Sequence, residues 1–341
     1  MSAPGAPDVR ARVIVAGLRR GASFLNAAAH SNAVRVVGAA DTDATTRNAA
    51  AGQHGLSGDA LHADVPAALK ATPADILLVA TPTRLHAEHV IAGLRAGLHV
   101  LCEKPLTTDR ESALRIRAES QRAGRRVAVV QNMRAWPQFR KAREMILGGV
   151  IGRLSHVHIL FRRWRPGQRL GHRHVELLNH GVHHMDLLRS LTGLAGAELL
   201  HATEWDPPWW QDAACGHCVS LAGRAPEGWT FAYDGSYAET GCLTGQSGHV
   251  HIVGERGALD AGGSADHEPS LRLTTNARAR GSDLAEDIAI PPRDPRDIDR
   301  EILDGFARAC ASGGPFETDL DDNLLTLGIL FDAMDRLDAG R

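Results

Sequence analysis

The sequence predicts an α/β protein with an N-terminal doubly wound parallel sheet and a C-terminal α+β domain built on an open, mainly antiparallel sheet. Up to residue 131, short apolar runs typical of buried parallel strands alternate with segments of helical periodicity. Beyond a histidine-rich helix near residue 180, candidate strands follow one another with turn residues between them. We therefore expect domains at 1–131 and 132–341, with C-terminal helices at 297–338 packing back.

The composition is that of a globular enzyme without a polyanionic or membrane partner. The chain has 341 residues, of which 43% are apolar and 23% charged, and its net charge is −2. This balance gives no electrostatic reason to expect nucleic acid or a membrane surface. Five cysteines, an odd number, argue against a disulfide framework, and the N-terminus has no apolar signal segment. A cytoplasmic protein is expected.

The first strand, residues 12–16, leads into a glycine turn typical of dinucleotide binding. Gly17-Leu18-Arg19-Arg20-Gly21 follows the strand, and the next strand ends at Asp41. Glycines let a pyrophosphate approach a helix N-terminus, and an acid about 20 residues further on accepts hydrogen bonds from ribose. Arg19 replaces the second glycine of the fingerprint, however, and Gly21 comes one residue early. Either Arg19 or Arg20 contacts the phosphates of a shortened turn, or the pocket is closed.

A second βαβ unit, residues 75–106, is where we expect chemistry. Its strands end at Thr81-Pro82 and at Glu103-Lys104-Pro105, and a helix beginning near His86 connects them. Carboxyl ends of parallel strands meet at one edge, where open α/β sheets bind ligands. Lys104 is one of only three lysines among 38 basic residues. Only lysine offers a compact ammonium group whose pKa shifts readily on burial.

The histidine-rich segment, residues 172–186, allows three interpretations. On a continuous helix, Glu176, Asn179 or His180, and His183 share one face, and Asp186 follows His183 by one turn. This arrangement suits an acid–base histidine positioned by polar neighbours. A metal site is the second interpretation, although the spacing matches no standard ligand pattern. The third is a helix with structural histidines.

Three features of the C-terminal half have other interpretations. Cys215-Gly-His-Cys218 lies within a candidate strand, so we interpret it as structural rather than redox-active. The tryptophan-rich segment 204–210 lines a substrate cleft or caps a core. Residues 262–295 are polar and are predicted to be loop-rich, and the open sheet face is a candidate oligomer surface.

Four segments together resemble the glucose–fructose oxidoreductase / inositol dehydrogenase (Gfo/Idh/MocA) family. They are ATPTRLHAEHVIAGLRAGLHVLCEKPL at 80–106, QNMR at 131–134, LLNHGVHHMDLLRSLTG at 177–193 and PFETDLDDNLLTLGIL at 315–330. The resemblance implies a Rossmann domain followed by a substrate domain that forms homodimers or homotetramers through its sheet. It also implies NAD(P)-dependent hydride transfer to or from a hydroxyl or carbonyl carbon of a sugar, cyclitol or related small metabolite.

By position, the resemblance makes Lys104 the active-site lysine, His183 the acid–base histidine and Asn179 its positioning neighbour. The residues expected to bind the cofactor are Gly17, Arg19, Arg20, Gly21, Asp41, Thr81, Pro82, His86, Glu103 and Lys104. Candidate substrate contacts are Trp164, Arg165, Glu176 and His180. NAD is favoured over NADP because the Asp41 carboxylate repels a 2′-phosphate, although Arg47 nearby leaves NADP open. No metal is expected.

Two departures from the family pattern leave an alternative. Asn179 occupies the position of an acid, and an amide cannot favour a protonated histidine as a carboxylate does. Glu176, one turn earlier, is a candidate substitute for that acid. With Arg19 in the glycine turn, this suggests a non-net-redox enzyme as the alternative: elimination or glycoside cleavage with retained NAD, or cofactor-free acid–base catalysis. A cofactor-free binding module is the third hypothesis.

Overall fold

The computed structural model describes residues 10–166, 173–210, 216–264, 267–275 and 284–340. The chain forms two compact units. The first contains the chain up to Val130 together with Asp294–Asn323, and the second contains Gln131–Arg293 with Leu324–Arg341. The sequence suggested one boundary at residue 131. In the structure the chain also returns to the first unit at Asp294–Asn323.

The described helices are α1 Leu18–Ala29, α2 Ala44–His54, α3 Val65–Ala71, α4 His86–Arg95, α5 Arg110–Ala123, α6 Pro137–Leu147, α7 Val182–Thr192, α8 Pro295–Ser312 and α9 Leu320–Ala339. The strands are β1 Ala11–Ala16, β2 Val34–Ala40, β3 Leu61–His62, β4 Ile76–Val79, β5 His99–Cys102, β6 Val127–Val129, β7 Leu154–Arg162, β8 Glu198–Trp205, β9 Cys218–Arg224, β10 Thr230–Ser236, β11 His249–Gly254, β12 Gly257–Ser264, β13 His267–Thr275 and β14 Leu284–Asp287.

The first unit is a six-stranded parallel sheet in the order β3-β2-β1-β4-β5-β6. Its central strands are apolar because both faces are covered, and Ile76–Val79 is buried throughout. α8 contributes Leu303 and Phe306 to the same core. α5 is capped at both ends: Asp109 accepts a hydrogen bond from the Ser112 N–H, and Gly124 ends the helix at φ +60°.

The second unit is an eight-stranded sheet in the order β14-β13-β12-β11-β7-β10-β9-β8. All neighbouring pairs are antiparallel except β7 with β10. Val157, Ile159 and Phe161 of β7 point into the core, whereas the alternate residues are half-exposed on the other face. The predicted fold class is therefore confirmed.

Two local predictions were wrong. The described residues between 262 and 295 are not mainly loop, because the end of β12, all of β13 and all of β14 lie among them. Glycines weaken the strand pattern of β12, and its pairing with β11 and β13 overrides local propensity. The histidine-rich segment is not one continuous α-helix, since residues 177–181 form a π turn before α7. His172 and Cys215 lie outside the described residues.

Within the described residues, no helix combines the length and the apolar character needed to cross a membrane.

Candidate active site

The glycine turn after β1 is shaped for close approach of a ligand. Gly17 has φ +84°, and a Cβ atom added to it would lie 2.4 Å from the carbonyl oxygen of Ala80. Only glycine tolerates both conditions, so the turn from β1 into α1 is tighter than any side chain at this position would allow. A Cβ at Gly21 would lie 2.8 Å from Val15, which shows that Gly21 lets α1 pack closely on β1.

Asp41 closes this turn from the neighbouring strand end. Its Oδ2 accepts the backbone N–H of Leu18 at 2.8 Å, and its Oδ1 accepts that of Asp43 at 2.9 Å. Arg47 donates to the backbone carbonyl of Asp41 at 2.6 Å. Each carboxylate oxygen keeps a lone pair for a ribose hydroxyl. Together with the glycine turn at the N-terminus of α1, this arrangement fits a dinucleotide.

The two arginines of the turn have different environments. Arg19 is exposed near Asp43. Hydrogen bonds from Thr46 and Thr45 lower the pKa of the Asp43 carboxyl, and the charge of Arg19 makes a smaller contribution in the same direction. Arg20 instead pairs with Glu103 at 2.7 Å and with Asp299 at 3.0 Å. Burial opposes the charge of Arg20, yet these two carboxylates raise its pKa above the usual value. A phosphate would therefore have to compete with both carboxylates for Arg20.

Glu103 links this ion-pair cluster to Lys104. The carboxylate of Glu103 is buried, and its Oε2 accepts the backbone N–H of Lys104 at 3.1 Å. Arg20 on one side and this N–H on the other hold the end of β5 in place. Lys104 itself is half-buried.

His86 ties the two strand ends together rather than facing an open pocket. Its Nδ1 lies 2.7 Å from the carbonyl oxygen of Pro105, and its Nε2 lies 2.8 Å from that of Thr81. Burial lowers the pKa of His86, although both carbonyl groups oppose this effect. A neutral imidazole has one N–H, so it donates to one of the two carbonyl groups at a time. The hydroxyl of Thr81 lies 3.0 Å from Nδ1 of His89, and Pro82 is exposed.

In the second unit, His183 is buried against Gln131. The Nδ1 atom of His183 lies 3.0 Å from the amide oxygen of Gln131. One turn further along α7, Asp186 forms a buried two-point ion pair with Arg134, with both N–O distances 2.6 Å. Thr326 also donates to Asp186 at 3.2 Å. Asp186 therefore anchors α7.

Asn179 and His180 lie in the π turn and share a partner. The hydroxyl of Tyr237 contacts Nδ1 of His180 at 2.5 Å and hydrogen-bonds with Asn179. The His180 ring stacks on Phe161 with centroids 4.5 Å apart. Burial raises the pKa of Tyr237, so its hydroxyl is neutral. His180 is thus a core side chain, whereas Asn179 is half-exposed.

Glu176 was a candidate substitute for the missing acid beside His183, but its carboxyl group contacts Tyr233. Its Oε1 accepts a hydrogen bond from the Tyr233 hydroxyl at 2.5 Å, and Nδ1 of His184 lies 3.1 Å from the same hydroxyl. Burial raises the pKa of Glu176 to about 8, which the Tyr233 hydrogen bond opposes. Glu176 therefore carries a proton at neutral pH. A Cβ at Gly235 would lie 2.4 Å from the carboxyl carbon, so this glycine makes room for the acid.

Three tryptophans pack together, and two of them, Trp164 and Trp209, are exposed. Trp164 is 47% exposed, stacks on Trp209 with centroids 6.2 Å apart and meets Trp210 edge-on at 5.3 Å. The guanidinium of Arg165 lies over the Tyr237 ring, 5.8 Å from its centroid. The structure thus groups the predicted substrate residue Trp164 with the 205–210 segment, and it leaves Arg165 half-exposed beside Tyr237.

Two further histidines, His174 of the histidine-rich segment and His217, have carboxylate partners. His174, at φ +55°, lies with its Nδ1 2.8 Å from Glu204, and Nδ1 of His217 lies 2.7 Å from Asp206. The first pair ties the histidine-rich segment to β8, and the second ties the residue before β9 to the residue after β8. No group of three or more ligating side chains suited to a metal ion occurs in the part of the chain that the structure describes.

Sequence reasoning missed the partners of the predicted residues. Gln131, Arg134, Tyr233 and Tyr237 decide what His183, Asp186, Glu176 and His180 contact. Gln131 and Arg134 stand in the quoted QNMR segment, at the end of a parallel strand where ligand-site residues collect, and that position was a usable signal. No sequence signal pointed to Tyr233 or Tyr237.

A parallel sheet with a glycine turn and a strand-end acid defines a dinucleotide-binding domain. The chain belongs to the GFO/IDH/MocA family: residues 11–131 match "Oxidoreductase family, NAD-binding Rossmann fold" and residues 139–260 match "GFO/IDH/MocA C-terminal domain". It is accordingly an NAD-binding oxidoreductase.

Known relatives fit this membership. An uncharacterised protein of Sinorhizobium fredii is 26% identical over 330 residues, which cover 94% of this chain and 90% of that protein. Inositol 2-dehydrogenase of Streptomyces avermitilis is 36% identical over 141 residues, covering 41% of this chain and 40% of that enzyme. The crystal structure of an inositol dehydrogenase homolog from Azotobacter vinelandii, complexed with NADH and myo-inositol, matches with a TM-score of 0.79 at 18% identity, over 96% of each chain. At that identity the match shows the fold.

Proposed function

We propose that this protein is an NAD-dependent dehydrogenase of a sugar, a cyclitol or a related small polyol, with Lys104 and His183 as its catalytic pair. The 36% identity to an inositol 2-dehydrogenase over 141 residues supports the substrate class. The observation that carries the catalytic assignment is the buried His183, whose Nδ1 lies 3.0 Å from a neutral amide oxygen, because a neutral imidazole with its proton on Nδ1 has its basic lone pair on Nε2.

The residues that would hold the cofactor are Gly17, Gly21 and Asp41, with the ends of β4 and β5. Bound there, NAD would supply the acceptor for the hydride of the substrate carbinol. Asp41 favours NAD, because its carboxylate, held by two backbone N–H groups, repels a 2′-phosphate.

In this proposal, each catalytic residue has a distinct role. His183 removes the proton of the substrate hydroxyl as the carbonyl forms, and it returns a proton in the reverse reaction. Lys104 donates a hydrogen bond to the same oxygen and stabilises the negative charge that develops there. Asn179, half-exposed next to Tyr237, and the surface of Trp164 and Trp209 are proposed to contact substrate hydroxyl groups.

The test is to incubate the protein with NAD and a panel of cyclitols, aldoses and polyols, and to measure NADH formation by its absorbance. We expect turnover with at least one member. Lys104→Ala should lower kcat by a factor on the order of 10³ while NAD still binds in calorimetry, since the loss affects the reacting oxygen. Lys70→Ala, on α3, is the matched control and should remain active. Undiminished turnover in Lys104→Ala refutes the assignment.

We also propose that a second copy covers the open face of the large sheet. His156, His158 and Leu160 lie half-exposed on that face of β7, where a broad sheet surface normally needs cover. Light scattering after size-exclusion chromatography should give a dimer or tetramer, and a monomer at micromolar concentration would exclude this arrangement.

A further inference from the structure

Gln131 and His183 are in direct contact, and this contact bears on which ring nitrogen carries the proton. The two side chains are buried, with 3% and 7% of their surfaces exposed, and the amide oxygen of Gln131 lies 3.0 Å from Nδ1. An amide oxygen can only accept a hydrogen bond, so Nδ1 must donate. In a neutral imidazole, the proton-accepting lone pair is then on Nε2.

A rigid frame holds this contact. Arg134 stands three residues after Gln131 in the turn that follows β6, and Asp186 stands three residues after His183 on α7. The two form the buried two-point ion pair with N–O distances of 2.6 Å. Because the pair joins the same two segments one turn further along, neither segment can slide without breaking a buried charge pair.

The acids nearest in sequence have other partners. Glu176 accepts from Tyr233, and Asp186 pairs with Arg134. The ring of His180 is also close to that of His183: its centroid lies 6.4 Å away, and its Nδ1 contacts Tyr237. The acceptor at Nδ1 of His183 is thus a neutral amide held in place by the frame.

We propose that Gln131 is a positioning residue: its amide oxygen holds His183 as the Nδ1–H tautomer and so presents Nε2 as the base. This inference rests on the proposed function, in which His183 removes the substrate proton. The competing arrangement has the amide reversed, with its NH₂ group donating to Nδ1. In that case the proton of the neutral ring is on Nε2, and His183 cannot act as a base from that atom.

The tautomer can be measured without turnover. Long-range ¹⁵N–¹H correlation spectra of protein labelled in its histidines distinguish the two neutral tautomers, and His183→Asn identifies the signal. We expect the Nδ1–H tautomer of His183 in the wild type and its loss in Gln131→Met, which removes the acceptor. A neutral Nε2–H tautomer in the wild type, or an unchanged tautomer in Gln131→Met, overturns the proposal.

Kinetics test the same idea through the pH profile. Gln131→Met should lower kcat by about ten- to hundredfold with little change in KM, because the base is misplaced rather than the substrate lost. Gln131→Glu keeps an acceptor but adds a charge, so the acidic limb of kcat/KM should move up by about one pH unit or more. Gln138→Met, at a buried glutamine of α6 that donates to Gly262, is the matched control and should show neither effect.

The outcomes separate this inference from the proposed function. Absence of turnover in the wild type with every substrate contradicts the proposed function, while the tautomer still tests the role of Gln131. A wild-type enzyme that is active, with an unshifted acidic limb in Gln131→Glu, contradicts the positioning role alone. If Gln131→Met does not fold, the wild-type spectrum and the Gln131→Glu profile decide.

Discussion

Replacing Glu176 by glutamine should remove a large pH dependence from the stability of the second unit. The carboxyl of Glu176 is fully buried and receives one hydrogen bond, from Tyr233, while no partner of its Oε2 occurs among the described residues. Burial raises its pKa from 4.5 to about 8. Glutamine has nearly the shape of the protonated acid and also accepts from Tyr233, but it cannot ionise.

The sign and size of the effect follow from proton linkage. Between pH 4.5 and about 8 the folded state keeps the proton of Glu176, whereas the unfolded state has lost it. The free energy of unfolding therefore falls by about 1.4 kcal/mol for each pH unit in this window and levels off above it. Over the whole window the wild type loses about 5 kcal/mol relative to Glu176→Gln. Below pH 4.5 the acid contributes no pH dependence.

Tryptophan fluorescence is a suitable assay because all six tryptophans lie between residues 136 and 229, within the second unit. Urea unfolding at intervals from pH 4.5 to 9 gives the free energy for wild type and variant, and other titrations cancel in the difference. Glu227→Gln, at an exposed acid in the turn between β9 and β10, is the control. A wild-type-to-variant difference that stays constant across this range would refute the buried, protonated Glu176.

Two further predictions concern the glycine turn and the ion pair. Gly17→Ala should weaken NAD binding at least about tenfold in calorimetry, because the new Cβ would lie 2.4 Å from the Ala80 carbonyl oxygen at φ +84°; Gly55→Ala, also at positive φ but with open space around it, should bind normally. Arg134→Met should cost about 3–5 kcal/mol in urea unfolding, because the buried Asp186 loses its guanidinium partner. A loss below about 1 kcal/mol would contradict the proposed frame.

The first unit was largely predictable because its signals are local. Apolar runs of four residues, the stop at Gly124 and the acid at Asp41 each reflect a requirement of the chain within one βαβ unit. The pairing of Arg20 with Asp299 was not predictable, since 279 residues separate the two. No local pattern records a partner at that distance.

The site in the second unit was predictable by residue type but not by contact. His183, Asn179 and Glu176 were each selected from the sequence, yet their partners Gln131, Tyr237 and Tyr233 lie about 50 or more residues away. Tertiary packing decides these pairs. Spacing along a helix can indicate which residues share a face, provided that the helix is regular.

The π turn before α7 makes the helix irregular. It also explains why Glu176 lies near His184 rather than His183. At about 100° per residue, a regular α-helix brings positions i and i+7 to within about 20° of each other, and Glu176 would then face the same way as His183. The π turn at 177–181 accommodates one additional residue, so positions i and i+8 acquire this relation instead. Glu176 and His184 accordingly meet the same Tyr233 hydroxyl, whereas His183 turns toward Gln131. One extra residue in one turn thus transfers the buried acid from His183 to His184 and gives His183 a neutral acceptor.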